Sequence, residues 1–112
     1  MWLLDANVDV HLAALLGEFG IVAESAITRG WETLVNGDLL TAAVNARFAC
    51  LLTRDRRFAE SAASALKAHP DFAIVIVSLP QCPSHQYLEN FRIAWSTNCI
   101  RPLPGKMLSW PE

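Results

Sequence analysis

Short apolar runs that stop at polar residues alternate along this chain with stretches whose apolar positions recur every three to four residues. Residues 2–4 form the first run, which ends on Asp5-Ala6-Asn7 and predicts a short buried strand. Leu12, Leu15, Leu16 and Phe19 then fall at helical spacing. They predict a helix capped by Asp9 and running to about Gly17, where Gly17 and Gly20 stop it. Residues 21–27 predict a second strand, only moderately apolar and so nearer a sheet edge. Asn36-Gly37-Asp38 opens a second helix with an inner stripe of Leu39, Leu40, Ala43 and Val44. Residues 49–53 are continuously apolar up to Thr53, as strands covered on both faces tend to be. An alanine-rich helix is predicted over 60–68, ended by His69-Pro70, and the strongest strand over 72–77. After a proline-rich turn at 79–83, residues 87–95 predict a last helix, and Pro102, Pro104 and Gly105 break the chain before a short apolar tail. Strands alternating with helices give an α/β fold: a single domain over residues 1–112, three-layered α/β/α, with a mainly parallel sheet of about four to five strands.

That organisation gives the acidic residues a meaning. Asp and Asn are poor strand residues and costly to bury, so Asp5 and Asn7 at a strand end mark either a turn or a site. In open parallel sheets ligands sit beyond the carboxyl ends of the strands. Asp5 ends the first strand, Asp55 lies two residues beyond the third, and Asp38 falls in the first turn of the second helix, at the same sheet edge if the crossovers are right-handed. Like charges about 4 Å apart repel by about 4 kcal/mol at an effective dielectric near 20, so such a cluster asks for a cation or a held proton. Oxygen ligands of this kind suit Mg²⁺ or Mn²⁺. Taken singly, Asp5 equally suits a turn, Asp38 a helix N-terminus and Asp55 an ion-paired surface beside Arg56 and Arg57. Arg29, Arg54 and Arg57 flank the expected crevice.

Other strand-end chemistries fit less well. A haloacid-dehalogenase-type phosphatase needs an acid where this chain has Asn7. A receiver domain needs an acidic pair after the first strand and a lysine on a late strand end, whereas Lys106 lies in a Pro/Gly turn. No glycine-rich phosphate loop is present.

Composition narrows the class further. A hydrophobic fraction of 53% with 18% charged residues describes a packed domain. The longest apolar stretch, residues 72–77, is far too short to span a membrane, and the first residues do not read as a signal peptide. Cys50, Cys82 and Cys99 make neither a zinc pattern nor a complete disulfide framework, which points to a reducing, cytoplasmic setting. A net charge of −2 without a basic run leaves any contact with nucleic acid to a local site.

The segments LLDAN, RGWETLVNGDLLTAA, FACLLTRDRRF and FAIVIVSLP, in this order, resemble the PIN-like proteins, compact relatives of PIN-domain ribonucleases. The tail YLENFRIAW with IRPLPGKMLSWP resembles the end of one subgroup, so the likeness covers nearly the whole chain. It implies a compact parallel-sheet nuclease fold in which Asp5, Asp38 and Asp55 hold Mg²⁺ or Mn²⁺ and hydrolyse RNA. Asn7 and Asn36 would orient ligands or the phosphate, Thr53 would hydrogen-bond a carboxylate, and Arg54 would contact phosphate. A fourth acid often completes a PIN site; here Arg56 and Arg57 follow Asp55, and Glu60 is the next acid. Many PIN proteins are toxins of toxin–antitoxin pairs, which makes a small antitoxin protein and a homodimer the expected partners beside RNA. The alternatives are a catalytically weak binding module and a metal-dependent phosphatase or DNA nuclease using the same crevice.

Overall fold

A computed structural model describes residues 1–34 and 36–111, and the side chains of all of these but Asn36, Phe58 and Ala59. The chain runs β1 (Trp2–Leu4), α1 (Leu12–Glu18), β2 (Ala23–Ser25), α2 (Asn36–Asn45), β3 (Cys50–Thr53), α3 (Arg56–Leu66), β4 (Ala73–Val77), α4 (Ser84–Thr97) and β5 (Met107–Trp110). The five strands form one all-parallel sheet in the order β2-β1-β3-β4-β5.

Alternation along each strand splits the interior into two apolar layers. Leu3, Leu51, Ile74 and Ile76 face α2 and α3, meeting Leu39, Leu40, Ala43, Ala62 and Leu66. Leu4, Cys50, Leu52, Val75 and Val77 face α1 and α4, meeting Leu12, Leu15, Leu16 and Phe91. All residues of β3 and β4 are buried, which explains their unbroken apolar sequence. Aromatic rings close the seam on the α1/α4 side: Phe19 stacks on Trp95 at 4.8 Å, and Phe91 meets Trp110 of β5 at 4.8 Å.

The steps β3→β4 and β4→β5 move in the same direction across the sheet, yet α3 and α4 cover opposite faces. Their crossovers therefore have opposite hands, and the other two connections share the hand of β3–α3–β4. Parallel crossovers are nearly always right-handed, so β4–α4–β5 is the exception. Its consequence is local: the start of α4 comes down beside the loop that follows β1.

Several boundaries differ from those read in the sequence. The Asp9 carboxylate accepts from the His11 backbone N–H at 2.9 Å, closing a turn ahead of the helix, so α1 starts only at Leu12 and His11 is its N-cap. The second strand shrinks to the three residues of β2, at the sheet edge as expected. Helix α3 begins at Arg56, before the alanine-rich stretch, and α4 extends beyond 87–95 at both ends. The apolar tail is no appendage. Gly105 adopts φ +75°, its N–H donates to the Phe72 carbonyl at 2.7 Å, and the following residues pair with β4 as β5.

Candidate functional site

The connections leaving β1 and β3 run to opposite faces, α1 to one and α3 to the other, so the gap between these two strands is the switch point of the sheet. Asp5 stands directly after β1. Its N–H still donates to the Leu52 carbonyl at 2.9 Å, while its carbonyl accepts from Val8 N–H at 3.0 Å, turning the chain sharply out of the sheet. The carboxylate is held on both oxygens: Oδ1 accepts from Ala6 N–H at 2.7 Å and Oδ2 from the Thr53 hydroxyl at 2.7 Å.

Thr53, the last residue of β3, is fully buried and organises this edge. Besides donating to Asp5, its Oγ1 accepts from Asp55 N–H at 3.1 Å and from Asn7 Nδ2 at 3.4 Å. One hydroxyl offers one donor and two acceptor positions, so all its capacity is used. Asn7 closes the ring, its Oδ1 accepting from Arg54 N–H at 3.1 Å. Five of the residues singled out in the sequence thus meet: Asp5, Asn7 and Thr53 through their side chains, and Arg54 and Asp55 through their backbone N–H groups.

Asp38 is exposed in the first turn of α2, at the same end of the sheet. Among the described residues no group of three or more His, Cys, Asp or Glu side chains is placed to hold a metal ion, so Asp5, Asp38 and Asp55 do not form a ready-made cage. The Asn36 side chain lies outside the described residues. Arg29 is engaged at 2.7 Å with Glu24, and Arg56 donates to Ser109 of β5 at 3.0 Å.

Beside the aspartate edge lies a polar cavity of about 100 Å³ lined by Asn7, Asp9, Arg54, Gln81, Cys82 and Tyr87. Asp9 joins α1 to α4 there: Oδ2 accepts from the Ser84 hydroxyl at 2.5 Å, and Oδ1 contacts the His11 ring Nδ1 at 2.8 Å. Burial would raise the Asp9 carboxyl, but the hydrogen bonds from Ser84 and His11 outweigh it and hold the group below the usual carboxylate range. Tyr87 is 3% exposed, and burial raises its phenol against the opposing charge of Arg54. The Arg54 guanidinium carbon lies 5.9 Å from the Tyr87 ring centre. Neither the Tyr87 hydroxyl nor Arg54 Nε, both buried, has a hydrogen-bond partner among the described residues.

Asp9 and Tyr87 escaped the sequence reading, which saw only a helix cap and a helical residue. The signal was available: loops after β1 and β4 open at the same sheet edge, so residues following either strand can meet. A larger concavity of about 530 Å³ lies at the opposite end of the sheet, beside Arg47 and His69, away from all these groups. Comparison with protein-family models, curated proteins and solved structures finds no match.

Proposed function

We propose that this protein is a metal-dependent ribonuclease of the PIN-like type, working at the switch point between β1 and β3. The observation that carries the reading is the Asp5–Thr53–Asp55 junction, where a buried hydroxyl holds a carboxylate at the carboxyl end of a parallel sheet. The resemblance of the sequence segments to PIN-like proteins supports the same reading. The donor chemistry fits Mg²⁺ or Mn²⁺: each Asp5 oxygen accepts one hydrogen bond from the protein and keeps a further lone pair. Mg²⁺ is commonly held by one or two carboxylates plus substrate phosphate, so a closed cage of three is not required. Asp5 would hold the ion, with Asp55 and Asp38 as the further carboxylates. When bound, the metal supplies an activated water and offsets charge at phosphorus.

The chain's own residues do the positioning. Thr53 fixes the Asp5 carboxylate, and Asn7 fixes the backbone at Arg54, a cation for the phosphate. The test is cleavage of single-stranded and structured RNA with and without Mn²⁺, beside DNA and a phosphomonoester. RNA cleavage that needs Mn²⁺ and disappears in Asp5→Asn is the expected result; cleavage of DNA or the monoester alone would reassign the chemistry. The lack of a preassembled three-acid group favours a second reading, a binding module, and RNA bound without cleavage would select it. We also propose that the nuclease is the toxin of a toxin–antitoxin pair, neutralised by a small protein partner. Expression should then arrest growth in wild type but not in Asp5→Asn or Asp55→Asn.

A further inference from the structure

The polar cavity beside the aspartates contains two donors with nothing to donate to. Tyr87 is 3% exposed, and both its hydroxyl and Arg54 Nε are buried without a partner among the described residues. An orphaned buried polar group costs about 1–3 kcal/mol, and two lining one small cavity point to an acceptor that belongs there. The cavity, about 100 Å³, has room for on the order of three waters. That space suits one tetrahedral oxyanion. The start of α4 adds a favourable field for an anion, since Gln81, Cys82 and Tyr87 bracket its first turn.

Asp9 sharpens the choice of anion. It lines the same cavity as a carboxylate already receiving Ser84 on one oxygen and His11 on the other. Those hydrogen bonds hold it ionised, while burial keeps the proton on Tyr87. The walls thus present a cation, a phenolic donor and an acceptor. A fully deprotonated oxyanion would be repelled by Asp9, whereas an oxyanion carrying a proton donates to it. We propose that this cavity is a binding site for a phosphate group that retains a proton, with Arg54 and Tyr87 donating to its oxygens and Asp9 accepting its O–H. The assignment stands on the cavity alone and does not depend on a metal at the neighbouring aspartates.

The test is calorimetric titration of the full chain with sodium phosphate at pH 6 in metal-free buffer. The expected result is saturable binding that Tyr87→Phe and Arg54→Gln each weaken about tenfold or more, as loss of a hydrogen bond to a charged group does. Sulfate at the same ionic strength should not compete in wild type, and Asp9→Asn should admit it. Tyr87→Phe preserves the ring, so its unliganded melting point should match or exceed that of wild type; Arg54→Gln tests the site separately. Phosphate on an oligonucleotide end is still partly protonated at pH 6. Competition by an end-phosphorylated dinucleotide, and not by its hydroxyl form, would assign the site to a nucleic-acid terminus; competition by neither would assign it to the free ion, and each supports the pocket. Absence of phosphate binding at tens of millimolar, unchanged affinity in both variants, or equal binding of sulfate to wild type would overturn the proposal. RNA cleavage is measured separately. Arg54 serves both sites, whereas Tyr87 and Asp9 line the cavity and take no part in the proposed cleavage, so their variants distinguish failure of this proposal from failure of the ribonuclease reading.

Discussion

Thr53 is the buried polar residue on which the site edge turns. Its hydroxyl serves Asp5, Asn7 and Asp55 at once, so Thr53→Val removes one small group and strands three. The shape is retained, and the loss of partners should destabilise the fold by about 1–3 kcal/mol, read as a lower urea midpoint. A smaller effect than that from a surface threonine such as Thr97 would show that water replaces the hydroxyl at no cost. Asp9 makes a second prediction. Its carboxyl is held below the usual value, so its stabilising contribution is present above the unfolded-state pKa and is lost as pH falls through the lower folded-state value. Wild type should therefore lose stability below roughly pH 4 more steeply than Asp9→Asn, seen as a difference in melting temperature that vanishes at still lower pH. Legibility differed sharply between these residues. Asp5, Thr53 and Asp55 stand where apolar strands stop, and an acid there is conspicuous in the letters. Asp9 and Tyr87 are remote in sequence and meet only because two loops share one sheet edge, which no local pattern encodes.

Elements were legible where burial on both faces forces continuous apolarity, as in β3 and β4. Their ends were not, because helix starts depend on which loop groups satisfy the first N–H donors. Asp9 resembles a helix cap, yet it spends its carboxylate on the His11 turn and on Ser84 from α4. The tail was hardest to read. Prolines and a glycine normally punctuate a chain, but here they bend it so that β5 aligns beside β4. Gly105 is the critical point: at φ +75° an added Cβ would approach the Pro70 carbonyl oxygen to 2.9 Å. That oxygen belongs to backbone and cannot step aside cheaply. Gly105→Ala combines the left-handed penalty of about 1–2 kcal/mol with this clash, and should lower stability by at least about 2 kcal/mol. Gly20→Ala, also at positive φ but in open space, should cost only the conformational part. Equal melting temperatures for the two variants would mean that the approach to Pro70 imposes no constraint.

At the scale of the whole molecule, the apolar pattern determines that helices cover a parallel sheet, but each helix carries only one stripe and does not specify which face it covers. The reversed hand of β4–α4–β5 was therefore invisible in the sequence, although it sets Ser84 and Tyr87 against the β1 loop. No described helix is long and apolar enough to cross a membrane. With a net charge of −2, the chain has no general attraction for RNA, so the proposed activity rests on what gathers at one sheet edge. Asp5, Asp38 and Asp55 all lie at that edge without forming a finished cage, and a divalent ion that drew on them would bind the folded state alone. Such binding stabilises by about 2.7 kcal/mol at one hundred times the dissociation constant, on the order of 10 °C in melting temperature for a domain of this size. Millimolar Mn²⁺ should therefore raise the melting point of wild type. It should do so much less for Asp5→Asn, which loses the carboxylate that Thr53 holds in place. Asp5→Asn should itself melt only modestly lower than wild type without metal, because its amide NH2 faces one of the two donors that the carboxylate oxygens accept from. Marked unfolding of that variant would instead make Asp5 a structural turn residue, and a wild-type melting point indifferent to Mn²⁺ would remove the metal from the proposed mechanism while leaving the phosphate cavity intact.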